Sequence, residues 1–224
     1  MNPRVLAFDV IETLFSLDRL GQRMRDAGLS SDALSVFFAH LLRDGFALAA
    51  TDIYVPFREL AKASLEVLLA GAEITSNDAT VNRVLEGFAD LDAHPDVAEG
   101  LDHARAAGAR ILALTNGSAR STELLLTRSG LTPFFERIVS IDEVEHWKPR
   151  REVYLHAARL MNAEPSSLAL IAAHAWDVHG AKQAGLHAGW IRRTDRRFLS
   201  SMTAPDAEGD ALAEVVDLLM ARTE

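Results

Sequence analysis

The chain has 224 residues, 49% of them hydrophobic and 25% charged, which suits one α/β core with room for a small inserted domain and excludes a disordered chain. It contains no cysteine, which excludes disulfides, thiolate metal sites and cysteine nucleophiles and makes the reducing cytoplasm the expected compartment. A formal net charge of −9 argues against a nucleic-acid groove, because such grooves rest on Lys and Arg neutralising phosphates; small molecules are the expected partners.

In chain order, the first element is the apolar run Val5 to Val10, interrupted by Asp9. It reads as a buried strand and lacks the features of a signal peptide. Four more near-continuous apolar runs, Arg110 to Leu114, Ile138 to Ile141, Leu168 to Ala172 and Ala188 to Ile191, suit parallel strands covered on both faces. Between strands the helices are punctuated: His94-Pro95-Asp96 opens one that Gly108 closes, and Ser118 caps another that ends at Gly130. The alternation predicts a Rossmann-like, doubly wound parallel α/β sheet over residues 1–14 and 93–224.

Residues 15–92 contain no convincing strand. They read as amphipathic helices near Asp18 to Ala27, Ser31 to Ala50, Pro56 to Leu69 and Ser76 to Ala89, an inserted helical-bundle cap placed over the carboxyl edge of the sheet, where ligands bind. No uninterrupted apolar stretch reaches the roughly 20 residues of a membrane span, so no membrane partner is expected. The apolar cap residues Phe37, Leu41 and Leu42 serve either the cap's own core or a homodimer interface.

Four polar clusters fall at strand ends. Asp9 stops the first strand, with the hydroxyl of Thr13 four residues on; it is either a turn cap or a carboxylate placed where substrate arrives. Thr115-Asn116-Gly117-Ser118 joins a strand to a helix, as plain capping or as an oxyanion site. Lys148, before Pro149, is either solvated or aimed inward to keep the nucleophile ionised. In Ala172-Ala173-His174-Ala175-Trp176-Asp177 an acid stands at a helix entrance, where it can stabilise Lys148 or activate water.

This ordered set resembles the haloacid dehalogenase superfamily over essentially the whole chain, and most closely its type II 2-haloacid dehalogenases. The resemblance implies a hydrolase in which Asp9 displaces halide from C2 of a small (S)-2-haloacid, forming an ester that water then hydrolyses. Thr13 would orient Asp9, Thr115 and Asn116 would bind the substrate carboxylate or halide, Lys148 would supply positive charge, Tyr154 would support the site, and Asp177 would assist the water. Phe57 and Ile11 would line the pocket, and Trp176 is either pocket wall or core. Superfamily phosphatases carry a second acid where this chain has Ile11, and they hold Mg²⁺ on carboxylates; here no metal ligand set and no cofactor are assigned.

The chain also departs from the dehalogenase pattern. Phe38 falls where a cap Arg receives the halide, with Arg43 a substitute if the helix register shifts. Ala172 and His174 stand for Ser and Asn, and His174 either takes over the Asn role or is a hydrogen-bonded buried residue. Glu12 stands for Gly, and would raise its own pKa or that of Asp9 unless it meets a cation. These departures keep three alternatives open. One is ring opening of a strained acid such as azetidine-2-carboxylate, with His174 or Glu12 protonating the amine; the others are a phosphatase and a non-catalytic binding protein of the same fold.

Overall fold

The computed structural model describes residues 3–75 and 77–221. β1 (Val5–Phe8) has all four residues buried, so its apolar run is covered on both faces, as a central parallel strand requires. A two-residue strand, β2 (Phe15–Ser16), leads into the helices α1 (Asp18–Asp26), α2 (Ala33–Ala50), α3 (Phe57–Gly71) and α4 (Asp78–Leu85). A 3₁₀ turn over Glu86–Ala89 follows, and β3 (Asp92–Ala93) pairs antiparallel with β2. The predicted start of the fourth helix, Ser76, lies outside the described residues; Asn77 caps α4 by accepting from the Thr80 amide.

The chain continues as α5 (Val97–Ala106), β4 (Arg110–Thr115), α6 (Ala119–Arg128), β5 (Arg137–Ser140), α7 (Arg151–Leu160), β6 (Leu168–Ala172), α8 (Ala175–Gln183), β7 (His187–Ile191), β8 (Ala207–Gly209) and α9 (Leu212–Met220). The predicted helix boundaries have visible causes. Ser118 accepts from the Ser121 amide at the start of α6, and Gly108 and Gly130 adopt φ of +79° and +68° just past α5 and α6, a conformation that costs glycine little.

The main sheet runs β5-β4-β1-β6-β7-β8, parallel throughout. The chain builds outward from β1 through β4 to β5, then crosses to β6 on the other side of β1. Ligands bind at such a switch point, outside the carboxyl ends of the strands. The register sets Phe8 beside Ala113 and Ile171, so the loops after β1, β4 and β6 emerge together.

One part of the sequence reading needs correction, and one alternative narrows. β2 lies in the segment read as free of strands, because a two-residue ribbon leaves no periodicity. Phe37 and Leu41 are fully buried and serve the insert's own interior, while Leu42 is half-buried against the same core. α2 has the length and hydropathy of a membrane span, but it carries His40, Arg43 and Asp44 and seats Phe37, Phe38, Leu41 and Gly45 in the interior.

The helical insert is fastened over the sheet edge. Trp147 stacks on Phe57 (ring centroids 5.8 Å apart) and donates its indole N–H to the Val55 carbonyl at 2.8 Å. A Cβ on Gly45 of α2 would come within 2.8 Å of the Trp147 ring, so only glycine permits this approach. Tyr54 donates its hydroxyl to Asp142, and Arg150 bonds Asp52 at 2.7 Å.

Candidate active site

Asp9 follows β1 and is nearly buried. Its amide bonds the Ile171 carbonyl of β6 at 3.0 Å, which fixes the backbone where the strand ends. Its two carboxylate oxygens have different partners: Oδ1 accepts from Lys148 Nζ at 2.8 Å and Oδ2 from the Thr13 hydroxyl at 2.6 Å. Thr13 in turn accepts from the Ala173 amide at 2.9 Å, so the hydroxyl is locked as a donor toward Asp9.

Lys148 has no exposed side-chain surface, and all three ammonium protons are used: Asp9 at 2.8 Å, Asp177 Oδ2 at 2.7 Å and the Leu114 carbonyl at 3.0 Å. Its amide bonds Asn116 Oδ1 at 3.1 Å, so Asn116 aims the lysine loop inward. Asp177 is equally enclosed; its other oxygen accepts from the Tyr154 hydroxyl at 2.6 Å. With both oxygens engaged and no exposed surface, Asp177 stands as the anchor of Lys148.

Burial works to raise the Asp9 pKa, but the charge of Lys148, followed by His174, overrides it and holds the carboxyl well below its usual range. Lys148 moves upward: burial opposes its charge, and Asp177 and Asp9 outweigh burial. Asp177 moves upward chiefly through burial, against the pull of Lys148, and burial beside Asp177 drives Tyr154 well above 10. At neutral pH the centre therefore holds an ionised Asp9 already oriented by two donors.

His174, at the entrance of α8, lies on the same side of Asp9 as Thr13. Its Nε2 meets Glu12 Oε2 at 2.8 Å and its Nδ1 stands 3.7 Å from Asp9 Oδ2. Glu12 adopts φ +64°, a left-handed conformation rarely taken by a side chain of this type, and its carboxylate turns to the imidazole. The cation that Glu12 needs is therefore His174. Burial opposes the imidazolium, yet Asp9 and Glu12 push its pKa up to about 10. The ring lies between Trp176 (5.2 Å, stacked) and Phe38 (5.9 Å).

The expectation for Arg43 is corrected. Its guanidinium is exposed and grips Asp44 at 2.7 Å, while Phe38 of the same helix faces His174. The two residues are five apart, which turns them about 140° from one another on a helix of 3.6 residues per turn.

Between insert and sheet edge lies a cavity of about 240 Å³ lined by Val10 and Ile11, the residues directly after Asp9, with Thr115, Phe57, Phe88 and Ser118 among its other walls. Thr115 accepts from the Gly117 amide at 2.9 Å, which orients its side chain at the mouth of this loop. Phe88, Ala61, Leu85 and Leu125 also line the cavity. Sequence reasoning did not nominate them, although each belongs to the apolar face of its helix or turn.

A family model for haloacid dehalogenase-like hydrolases matches residues 3–185. The chain belongs to this family. It is 25% identical, over 95% of its length and 93% of the relative's, to an (S)-2-haloacid dehalogenase of Pseudomonas sp. strain YL. It is 26% identical, over the whole of both chains, to (S)-2-haloacid dehalogenase 1 of Pseudomonas sp. strain CBS-3. Its fold matches the L-2-haloacid dehalogenase of Xanthobacter autotrophicus with chloropropionic acid covalently bound, at TM-score 0.91 and 19% identity, covering 99% of this chain and 100% of that one. In this haloacid dehalogenase-like hydrolase the side-chain donors suit a divalent cation poorly, because the Lys148 ammonium already bridges Asp9 and Asp177 and Ile11 brings no side-chain oxygen. No group of three His, Asp or Glu side chains among the described residues is arranged to hold a metal.

Proposed function

We propose that this hydrolase is an (S)-2-haloacid dehalogenase, in which Asp9 displaces halide from C2 of a small 2-haloacid and the resulting aspartyl ester is hydrolysed by water. The observation that carries the proposal is the ionised Asp9 carboxylate, fixed between Lys148 and Thr13, beside a largely apolar cavity and with Ile11 two residues away. A phosphomonoester's alkoxide would need a proton from an acid at position 11, whereas halide, a very weak base, leaves without one. The names of the two Pseudomonas relatives support halide over the strained-ring alternative.

In this reading residues 1–14 and 93–224 form the catalytic core and 15–92 the cap. Asp9 is the nucleophile and Thr13 and Lys148 orient and ionise it. Asp177, Tyr154 and Asn116 hold Lys148 in place, and Thr115, Ile11 and Phe57 contact the substrate. The absence of cysteine and the relatives' small-acid chemistry agree with a cytoplasmic enzyme acting on small carboxylic acids. The test is halide release from L-2-chloropropionate and haloacetate. The wild-type enzyme releases halide and Asp9→Asn does not; equal release from both, or none from either, removes the proposal.

A further inference from the structure

We infer that Arg193, braced by Asp96, is a positioning residue of the displacement step: it grips the Thr13 carbonyl from behind and so keeps the Thr13 hydroxyl on Asp9 while the carboxylate attacks C2. The inference rests on the dehalogenase reading and adds to it a residue outside the Asp9–Lys148–Asp177 chain, on the loop after β7.

The loop between β1 and β2 belongs to no extended ladder, so its carbonyls need partners from elsewhere. Val10 finds them inside the loop, accepting from the Leu14 and Phe15 amides at 3.0 Å. Three successive carbonyls, those of Glu12, Thr13 and Leu14, are held from outside. His94, at the end of the insert, donates Nε2–H to the Glu12 carbonyl at 3.2 Å and its amide to the Leu14 carbonyl at 2.9 Å. Between these two, Arg193 donates Nε and Nη2 to the Thr13 carbonyl at 3.3 and 3.2 Å. Glu12 stands at φ +64°, a strained conformation for its residue type that persists only where the surroundings over-determine it. The clamp on its own carbonyl and the next two supplies that constraint.

Arg193 is itself held. Its amide bonds the Ile191 carbonyl at 3.0 Å, which turns the chain back at the end of β7. Nη1 donates to Asp96 Oδ2 at 3.1 Å and Nη2 lies 2.9 Å from Oδ1. Asp96 Oδ2 also accepts from the Leu212 amide at 2.8 Å, where α9 begins. There α9 packs tightly on α5: a Cβ on Gly100 would come within 2.6 Å of Leu212. The Arg193 side chain is only 11% exposed. Burial works to raise the Asp96 pKa, and Arg193 and the Leu212 amide override it, so the brace is an ion pair. Thr13 is thereby fixed from both sides. Its hydroxyl donates to Asp9 at 2.6 Å and accepts from the Ala173 amide at 2.9 Å, while its backbone rests on the guanidinium. Only a planar fork with several donors serves the carbonyl and the carboxylate together; a lysine ammonium has no such geometry. A shift of the loop by about 1 Å would reach the chemistry, since a misplacement of that size costs about 10²-fold in rate.

The experiment follows first-turnover halide release from L-2-chloropropionate by rapid quench in the intact wild-type enzyme, Arg193→Gln, Thr13→Val and the double variant, with folding checked by near-UV circular dichroism. Arg193→Gln should slow the halide burst about 10–100-fold while the half-saturating concentration changes less than about threefold, because the cavity walls are untouched. In the Thr13→Val background the same substitution should cost less than about threefold, since the hydroxyl it positions is gone. A folded Arg193→Gln with the wild-type burst overturns the positioning role. So does a loss carried by half-saturation alone, or one as large with Thr13→Val as without it. Each of these leaves dehalogenation intact; a wild-type enzyme that releases no halide overturns both. Should Arg193→Gln not fold, Asp96→Asn, which keeps an acceptor for the Leu212 amide and loosens the guanidinium, goes through the same cycle and is judged by the same criteria.

Discussion

Replacing Lys148 by Met tests the electrostatics of the centre most severely. The substitution keeps most of the side-chain volume and removes the ammonium that sits 2.8 Å from Asp9 and 2.7 Å from Asp177. Both carboxylates are then left buried, with Asp177 retaining only the Tyr154 hydroxyl and Asp9 the Thr13 hydroxyl and His174. Removing one partner of a buried ion pair costs about 3–5 kcal/mol, because the remaining charge has lost its compensation. At a urea m-value of about 2–3 kcal/mol per molar, the denaturation midpoint should fall by about 1–2.5 M at pH 7.5.

The pH dependence identifies the cause. Burial already raises the folded pKa of Asp177 above the unfolded value, and losing the pull of Lys148 raises it further in the variant. The stability from its protonation is fully present below the unfolded pKa of about 3.9 and is lost as pH rises through the folded one. The variant's deficit should therefore narrow between pH 7.5 and 5. In the wild type Asp9 has a depressed pKa, so its contribution is present above about 3.9 and falls away only below it. A midpoint shift under about 0.3 M, or a deficit that does not change with pH, would refute the reasoning.

Two further outcomes follow from the same geometry. Because Asp9 is held well below its usual range, the first-turnover halide burst should change less than about twofold between pH 7 and 5; a tenfold fall with a midpoint above pH 5 would mean that Lys148 does not keep the carboxylate ionised. Arg43→Ala should leave kcat/KM for L-2-chloropropionate within about twofold, since the guanidinium is exposed on Asp44; a loss of tenfold or more would place it in the site.

The central strands are legible because a strand covered on both faces leaves an unbroken apolar run, as Val5–Phe8 and Leu168–Ala172 do. The edge strand β8, Ala-Glu-Gly, is too short and too polar to leave one, and β2 and β3 are two residues each. The polar centre is legible for a related reason: Asp9 and Thr115 end apolar strand runs, Asp177 stands in the first turn of the helix after another, and parallel topology gathers those ends at one edge. The partner of His174 is not legible, because Glu12 lies 162 residues away and turns toward it through a positive φ that nothing in the sequence encodes. Arg43 failed as a candidate because it needed a shifted helix register, whereas the register found turns it away from the face that carries Phe38.

Covalent attack by Asp9 is tested most directly by one turnover in ¹⁸O-labelled water with enzyme in excess over L-2-chloropropionate. If Asp9 is the nucleophile, the new oxygen of the 2-hydroxy acid comes unlabelled from its carboxylate and the label is recovered in the Asp9 peptide. Label in the product of that first turnover, with none in Asp9, would mean that water attacks C2 itself and that the carboxylate held by Lys148 and Thr13 forms no bond to substrate.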